Sequence, residues 1–114
     1  MDATELILLY DYYGDLLTDR QKECFELRYN QDLSLGEIGQ ELGISRQGVF
    51  DNLSRTEALL RNMEKKTGCV RRDLQYRKAM EEIRNLAKEL IANADDNVAQ
   101  LGQKILCAAP EFEE

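Results

Sequence analysis

The chain has 114 residues, enough for one small domain whose apolar core needs no metal or disulfide to hold it together. Its 22 acidic and 15 basic side chains give a net charge of -7 at pH 7. It contains no histidine, which excludes histidine general bases, Ser-His-Asp triads and metal sites that need an imidazole.

Cysteine spacing and the first residues set further expectations. Cys24, Cys69 and Cys107 lie more than thirty residues apart and form no C-x-x-C pair, so we expect reduced thiols, no zinc site and no cofactor. The start of the chain carries acids where a signal peptide needs bases, and the apolar run from Leu6 to Tyr10 is too short to span a bilayer. We therefore expect a cytoplasmic protein.

The first half of the chain predicts three helices. Apolar residues spaced i, i+3, i+4, i+7 and i+11 indicate the first, with Leu6, Leu9, Tyr10, Tyr13 and Leu17 inward. Thr18 with Gln21 is a capping box that opens a helix to about Asn30 and turns Cys24, Phe25 and Leu27 inward. Ser34 and Glu37 form a second capping box, which predicts a short helix that ends at Gly43.

The second half predicts three more helices. Ser45 caps a long helix that ends at Thr67-Gly68 and buries Val49, Leu53, Thr56, Leu60 and Met63. A long amphipathic helix runs from about Arg72 to Asn93, and a last one from about Asp96 to Ala108. We predict one all-α domain over residues 1–114, with a helix-turn-helix core at about 18–67 and C-terminal helices at about 72–108.

The long C-terminal helix repeats apolar residues in a 4-3 rhythm that includes Tyr76, Met80, Ile83 and Ala87. That rhythm is typical of a coiled-coil seam, and it makes a homodimer through helical surfaces an expectation. The alternative is packing against other helices of the same chain, because Leu86 and Ile91 broaden the stripe and only about two and a half heptads are present.

Helix-turn-helix spacing is the strongest motif. Residues 35–52 predict a short helix, a Gly43-Ile44-Ser45 turn and a second capped helix. We expect Gly39 to face Val49 across the turn, so that a side chain larger than alanine at position 39 pushes the helices apart.

The residues around this motif resemble two known patterns. Leu17-Thr18-x-Arg20-Gln21, Phe25-x-Leu27-Arg28-Tyr29 and Leu33-Ser34-Leu35-x-Glu37-Ile38 resemble the promoter-reading region 4 of bacterial sigma factors. The segment from Ile44 to Thr56, with Leu8-x-Tyr10-x-Tyr12-Tyr13-Gly14, is similar to the YlxM family of small bacterial helix-turn-helix proteins. That resemblance covers roughly residues 6–67. It implies an all-α, non-enzymatic protein that is DNA-binding by its motif and linked to the signal recognition particle pathway.

The candidate binding residues follow from helical geometry. With Val49, Leu53, Thr56 and Leu60 inward, the outward face of the second motif helix is Gln47, Asp51, Ser54, Arg55, Ala58, Arg61, Asn62 and Lys65. In a DNA reader, Arg46, Gln47 and Asn52 would meet base edges and Arg55, Arg61 and Lys65 would meet phosphates. Lys66, Arg71 and Arg72 belong to a basic run from Arg61 to Lys78 that would suit a polyanion.

Other features weigh against simple DNA reading. Asp51 stands in the middle of the outward face, and the acidity of the whole chain slows encounter with a polyanion. Phe50 suits stacking on an unpaired base or a protein pocket, although burial beneath the long C-terminal helix is the simpler expectation. Two functions stay open: an accessory protein of the signal recognition particle pathway that binds RNA or protein, and a transcriptional regulator that reads duplex DNA.

Overall fold

The structure, a computed structural model, describes residues 3–111. Over that range the chain is helical and contains no strand, which confirms the all-α prediction. Its elements are α1 (Ala3–Tyr13), a 3₁₀ turn (Gly14–Leu16), α2 (Asp19–Tyr29), α3 (Leu35–Leu42), α4 (Arg46–Thr67), α5 (Cys69–Ile91) and α6 (Asp96–Ala108). None of the helices described is long and apolar enough to cross a membrane. The chain divides into two compact units, one ending at Val70 and one beginning at Arg71. That residues 1–114 form a single domain therefore stays a prediction.

Helices α2 and α3 begin at the capping residues that the sequence predicts. The Thr18 hydroxyl accepts the Gln21 N–H at 3.2 Å, and the Gln21 side chain accepts the Thr18 N–H at 3.0 Å. Ser34 and Glu37 form the same reciprocal pair at 3.1 Å in each direction. The hydrogen bond that Glu37 accepts from the Ser34 backbone N–H holds the pKa of the Glu37 carboxyl below its usual value, and the hydrogen bond with the Ser34 side chain adds a smaller effect. Both predicted capping boxes are confirmed.

Two apolar clusters form the core of the first unit. The larger joins α1, α2, α4 and the first residues of α5 and consists of Leu6, Leu9, Tyr13, Leu17, Phe25, Leu60 and Val70. The smaller joins α2, α3 and α4 through Cys24, Ile38 and Val49. Burial raises the pKa of the Cys24 thiol, which therefore stays protonated near neutral pH. The inward residues predicted for α1, α2 and α4 are confirmed. They pack one side of α4 into the core and leave its other side exposed.

The turn between α3 and α4 is tighter than expected. Gly43 adopts the left-handed backbone with φ of 69°, as its position after α3 predicts. A Cβ at Gly39 would lie 2.7 Å from the Ile44 carbonyl oxygen, so the expectation that alanine is tolerated there is wrong. The limiting contact is with the backbone of the turn and not with Val49. The angle between α3 and α4 therefore depends on the absence of any side chain at position 39.

The second unit is a pair of helices. Helix α5 begins at Cys69, in the last two residues of the first unit and three residues before the predicted Arg72. It begins there because left-handed Gly68 ends α4 and the Thr67 hydroxyl accepts the Cys69 N–H at 3.3 Å. Asp95 caps α6, whose predicted bounds are confirmed. A Cβ at Gly102 would lie 2.7 Å from the Ala87 carbonyl oxygen, so α6 packs closely against α5.

Candidate nucleic-acid interface

The leading end of α4 carries the first candidate residues. Ser45 caps this end by accepting the Gly48 N–H at 3.0 Å, and Arg46 and Gln47 are the first two helical residues. Both side chains are exposed. The positive end of the helix dipole lies at this end and adds to the Arg46 charge. The arrangement presents a cation and an amide together, which suits hydrogen bonding to a base edge or a phosphate.

The outward face of α4 lies where helical geometry predicts it. All eight of its residues are exposed: Gln47, Asp51, Ser54, Arg55, Ala58, Arg61, Asn62 and Lys65. Three of the four inward residues, Val49, Thr56 and Leu60, are fully buried, while Leu53 is half-buried. The core therefore orients the face, because buried Val49, Thr56 and Leu60 hold α4 from the opposite side.

Two pairs of polar side chains on α4 contact each other, which leaves the remaining cations of the helix available to a ligand. The Gln47 amide Nε2 donates to Asp51 Oδ1 at 3.0 Å, one turn along the helix. Arg61 forms an ion pair with Glu57, also one turn away. Within residues 3–111 the side chains of Arg46, Arg55, Lys65 and Lys66 have no ion-pair partner. Asp51 thus engages Gln47 and does not neutralise a cation on the face.

Phe50 is exposed, so its expected burial is wrong. Its side chain is 51% exposed, although it follows the fully buried Val49. Phe50 is rotated by about 100° from inward Val49 and so lies on a flank of α4, where helical periodicity alone fixes neither burial nor exposure. Since Phe50 lies four residues after Arg46, the two side chains are neighbours on one side of the helix. An exposed aromatic ring beside an arginine is a surface on which a base can stack.

Asn52 is less available than the sequence suggests. Its side chain is half-buried, and its Oδ1 is buried without a hydrogen-bond partner among the described residues. Its backbone carbonyl accepts the hydroxyl of buried Thr56 at 2.9 Å. Arg46 and Gln47 are therefore better placed than Asn52 to reach a base edge.

The basic run from Arg61 to Lys78 is divided between the two units. Arg61, Lys65 and Lys66 are exposed on the last turns of α4 in the first unit. Arg71 and Arg72 are exposed on α5 in the second unit, where Arg77 forms an ion pair with Asp73 at 3.3 Å. Eight of the ten candidate residues thus lie on one helix, and the two others lie on α5.

A groove beside the outward face was not expected from the sequence. It has a volume of about 490 Å³ and is lined by Gln21, Arg55, Ala58, Leu59 and Asn62, so α4 forms one wall with four of these residues and Gln21 of α2 alone forms the other. The residues of α4 that line it recur at helical spacing, which is the signal that could have identified that wall. The opposite wall depends on tertiary packing. Because Arg55 belongs both to the groove and to the outward face, a ligand on the face can extend into the groove.

Comparisons with known proteins also indicate a helix-turn-helix protein. The family model of the UPF0122 proteins, helix-turn-helix proteins described as YlxM / p13 like, matches residues 1–101. A UPF0122 protein of Acetivibrio thermocellus is 52% identical over 79 residues, which cover 69% of this chain and 68% of that protein. One of Thermoanaerobacter sp. (strain X514) is 49% identical over 83 residues, covering 73% and 71% of the two chains. One of Bacillus licheniformis is 42% identical over 84 residues, covering 74% and 78%.

Proposed function

Because this chain belongs to the UPF0122 family of YlxM/p13-like helix-turn-helix proteins, we propose that it binds nucleic acid through α4. The proposed ligand is the RNA of the signal recognition particle, and the proposed role is that of a cytoplasmic, non-enzymatic accessory protein of that pathway. The assignment to that pathway rests on the resemblance to the YlxM family. The choice of RNA rests on the exposed Phe50 ring beside Arg46.

Phe50 favours RNA for a physical reason. Proteins recognise RNA by sequence mostly in single-stranded loops and bulges, where unstacked bases lie on aromatic rings. In a duplex major groove the same ring would meet stacked base edges, to which it offers no hydrogen bond. Arg46 can contact the phosphate or the base next to a base stacked on Phe50, and Arg55, Lys65 and Lys66 supply further positive charge along α4.

A transcriptional regulator that reads duplex DNA is the second candidate. The observation in its favour is that Arg46 and Gln47 begin the second helix of the motif and are exposed, which is where such readers contact base edges. A DNA reader prefers one duplex sequence and loses that preference in Arg46→Ala or Gln47→Ala.

One titration at two salt concentrations separates these candidates. The probes are the signal recognition particle RNA, random RNA of equal length, random duplex DNA and the GTPase of the particle. We expect the particle RNA to bind most tightly. Four phosphate contacts from Arg46, Arg55, Lys65 and Lys66 give a slope of log affinity against log salt of about -3 for single-stranded RNA. A slope near zero contradicts nucleic-acid binding, and tightest binding to the GTPase identifies a protein ligand instead.

Phe50 supplies the more specific test. Phe50→Ala should weaken RNA binding by roughly tenfold, because stacking of one base contributes about 1–3 kcal/mol. Leu16→Ala is a matched control, since Leu16 is also an exposed apolar side chain but lies on the 3₁₀ turn and not on α4. Equal affinities of Phe50→Ala and the unaltered chain, together with sequence-specific duplex binding, would decide for the DNA reader.

A further inference from the structure

The second unit leaves most of its apolar surface uncovered. Among residues 71–111 only Ala87 and Gly102 are buried. Six of the ten large apolar side chains exposed in the described chain belong to this unit: Leu74, Tyr76, Ile83, Leu86, Leu101 and Ile105. A segment of about forty residues seldom buries enough surface to be stable alone and is usually supported by disulfides, metals or association.

The two helices of this unit form an antiparallel hairpin. Gly102 of α6 packs against Ala87 and Ile91 in the second half of α5. Further along α6, the Leu106 and Ala109 carbonyls accept hydrogen bonds from Arg84 at 3.2 and 2.8 Å. The chain thus returns along α5 after the turn, and these contacts define the side of each helix that faces its neighbour.

Five of the exposed apolar residues share one face of the hairpin. Measured from the side of each helix that faces its neighbour, Tyr76, Ile83 and Leu86 lie roughly 50° to 135° around α5 in one rotational sense, and Leu101 and Ile105 lie roughly 60° to 110° around α6 in the same sense. For two antiparallel right-handed helices these rotations point to the same side. We name this surface the hairpin face. Leu86 is 59% exposed and Leu101 57% exposed, so the centre of the face is open.

We propose that the hairpin face is the interface of a homodimer, in which the hairpin of a second copy covers it and the two form a four-helix bundle. Two helical hairpins that meet by their apolar faces are a standard solution for covering such surfaces. A two-fold interface brings the same patch of each copy together, so each uncovered side chain gains an apolar neighbour from an identical surface.

The charges of α5 favour a second copy as the occupant. Residues 71–78 carry a net charge of +3 and residues 81–89 a net charge of -1. When α5 of one copy lies antiparallel to α5 of the other, with Tyr76 level with Leu86 of the second copy, Lys78 lies about 3 Å along the axis from Glu82 of the second copy. Arg84, which is level with Lys78, is turned toward the end of its own α6, so Glu82 is the charge on the flank that Lys78 occupies. The two-fold axis produces this pair twice, so the helix is electrostatically complementary to itself in this orientation.

Sedimentation equilibrium of the full chain over a wide concentration range tests the proposal. We expect twice the mass of one chain at high concentration, and a shift to a single chain in Leu86→Glu because a charge cannot be buried in the interface. Leu74→Glu is the matched control, since Leu74 is equally a leucine of α5 and is exposed, but lies on the opposite flank from the hairpin face. Circular dichroism verifies that both variants keep their helices.

A charge reversal tests the orientation. Lys78→Glu should weaken the dimer by roughly tenfold, because two exposed pairs change from attractive to repulsive. Adding Glu82→Lys to that variant should restore the affinity. A single-chain mass at all concentrations, or equal dissociation in Leu74→Glu and Leu86→Glu, overturns the proposed interface. Failure of the charge reversal to restore the dimer overturns the antiparallel arrangement. None of these outcomes depends on nucleic-acid binding.

Discussion

The Tyr13 hydroxyl donates a hydrogen bond to the Glu64 carboxylate at 2.6 Å and thereby joins the end of α1 to the last turns of α4. The same carboxylate oxygen accepts the Val70 N–H at 3.0 Å. The Tyr13 ring is part of the larger apolar cluster, and burial raises the pKa of its hydroxyl. One buried tyrosine therefore supports both the core and the polar end of the helix that presents the candidate interface.

Removing that hydroxyl should destabilise the fold. Tyr13→Phe loses a hydrogen bond to the charged Glu64 and a second one with the Thr67 hydroxyl, so we expect the free energy of unfolding to fall by about 1.5–3 kcal/mol. Urea denaturation followed by circular dichroism measures the change. Tyr29→Phe is the matched control, since the Tyr29 ring also packs in the core but no hydrogen bond to its hydroxyl occurs among the described residues. Equal stabilities of the two variants would contradict the role given to Tyr13.

The two glycines of α3 should respond oppositely to alanine. Gly39→Ala places a methyl group against the rigid carbonyl of Ile44, so we expect a loss of roughly 1–3 kcal/mol in the free energy of unfolding. At Gly36 the nearest atom to an added Cβ is the Ser34 hydroxyl at 4.0 Å, so Gly36→Ala should gain about 0.5–1 kcal/mol from helix propensity. Thermal unfolding of both variants is the measurement, and a stable Gly39→Ala would show that the turn can move.

Asp51 should weaken nucleic-acid binding by its charge while it orients Gln47. Asp51→Asn removes the charge but keeps an oxygen that accepts the Gln47 amide hydrogen bond. A carboxylate about 6 Å from a phosphate costs about 0.7 kcal/mol in water, so the variant should bind roughly threefold more tightly at low salt. High salt should reduce the gain.

The control for this effect is Glu23→Gln, which removes one negative charge from an exposed position on α2. If both variants gain affinity equally, the effect belongs to the net charge and not to the outward face. If Asp51→Asn binds more weakly than the unaltered chain, the carboxylate itself contacts the ligand.

Alkaline pH should destabilise the core through Tyr10. Its ring stacks on Phe25 with centroids 4.3 Å apart, and its hydroxyl donates to Glu26 at 3.0 Å. Burial, followed by the hydrogen bond to Glu26, raises the pKa of Tyr10 to about 12. The unfolded chain releases this proton near pH 10, so the contribution to stability is present below about pH 10 and is lost as pH rises toward 12.

Absorbance at alkaline pH measures this ionisation directly. The unaltered chain should show a tyrosine that titrates near pH 12. Tyr10→Phe should lose one late-titrating tyrosine, while Tyr13 and Tyr29, whose pKa values burial also raises, keep their contributions to the titration. The melting temperature of Tyr10→Phe should also decline less steeply above pH 10. Titration of every tyrosine at its ordinary pKa in the native chain would contradict this prediction.

The sequence by itself determined the features that depend on residues close together in the chain: the helix caps, the turn at Gly43 and the sides of α4. The capping boxes at Thr18 and Ser34 and the left-handed turn at Gly43 involve residues within a few positions of one another, so their hydrogen bonds and backbone angles form wherever the segment lies. The outward face of α4 was predictable for the same reason, because helical periodicity assigns opposite sides to Val49 and Arg55. Even the Gln47 to Asp51 bond is visible as an i, i+4 pair.

Tertiary structure decided what depends on distant residues. Phe50 is exposed and Asn52 is half-buried, because both lie on the flanks of α4, where burial depends on which other elements occupy the surrounding space. The 4-3 rhythm of α5 predicted an apolar stripe, but periodicity is the same for a stripe buried in its own chain and for one left open. Only packing separates these cases, since burial is a property of the assembled chain and not of the helix.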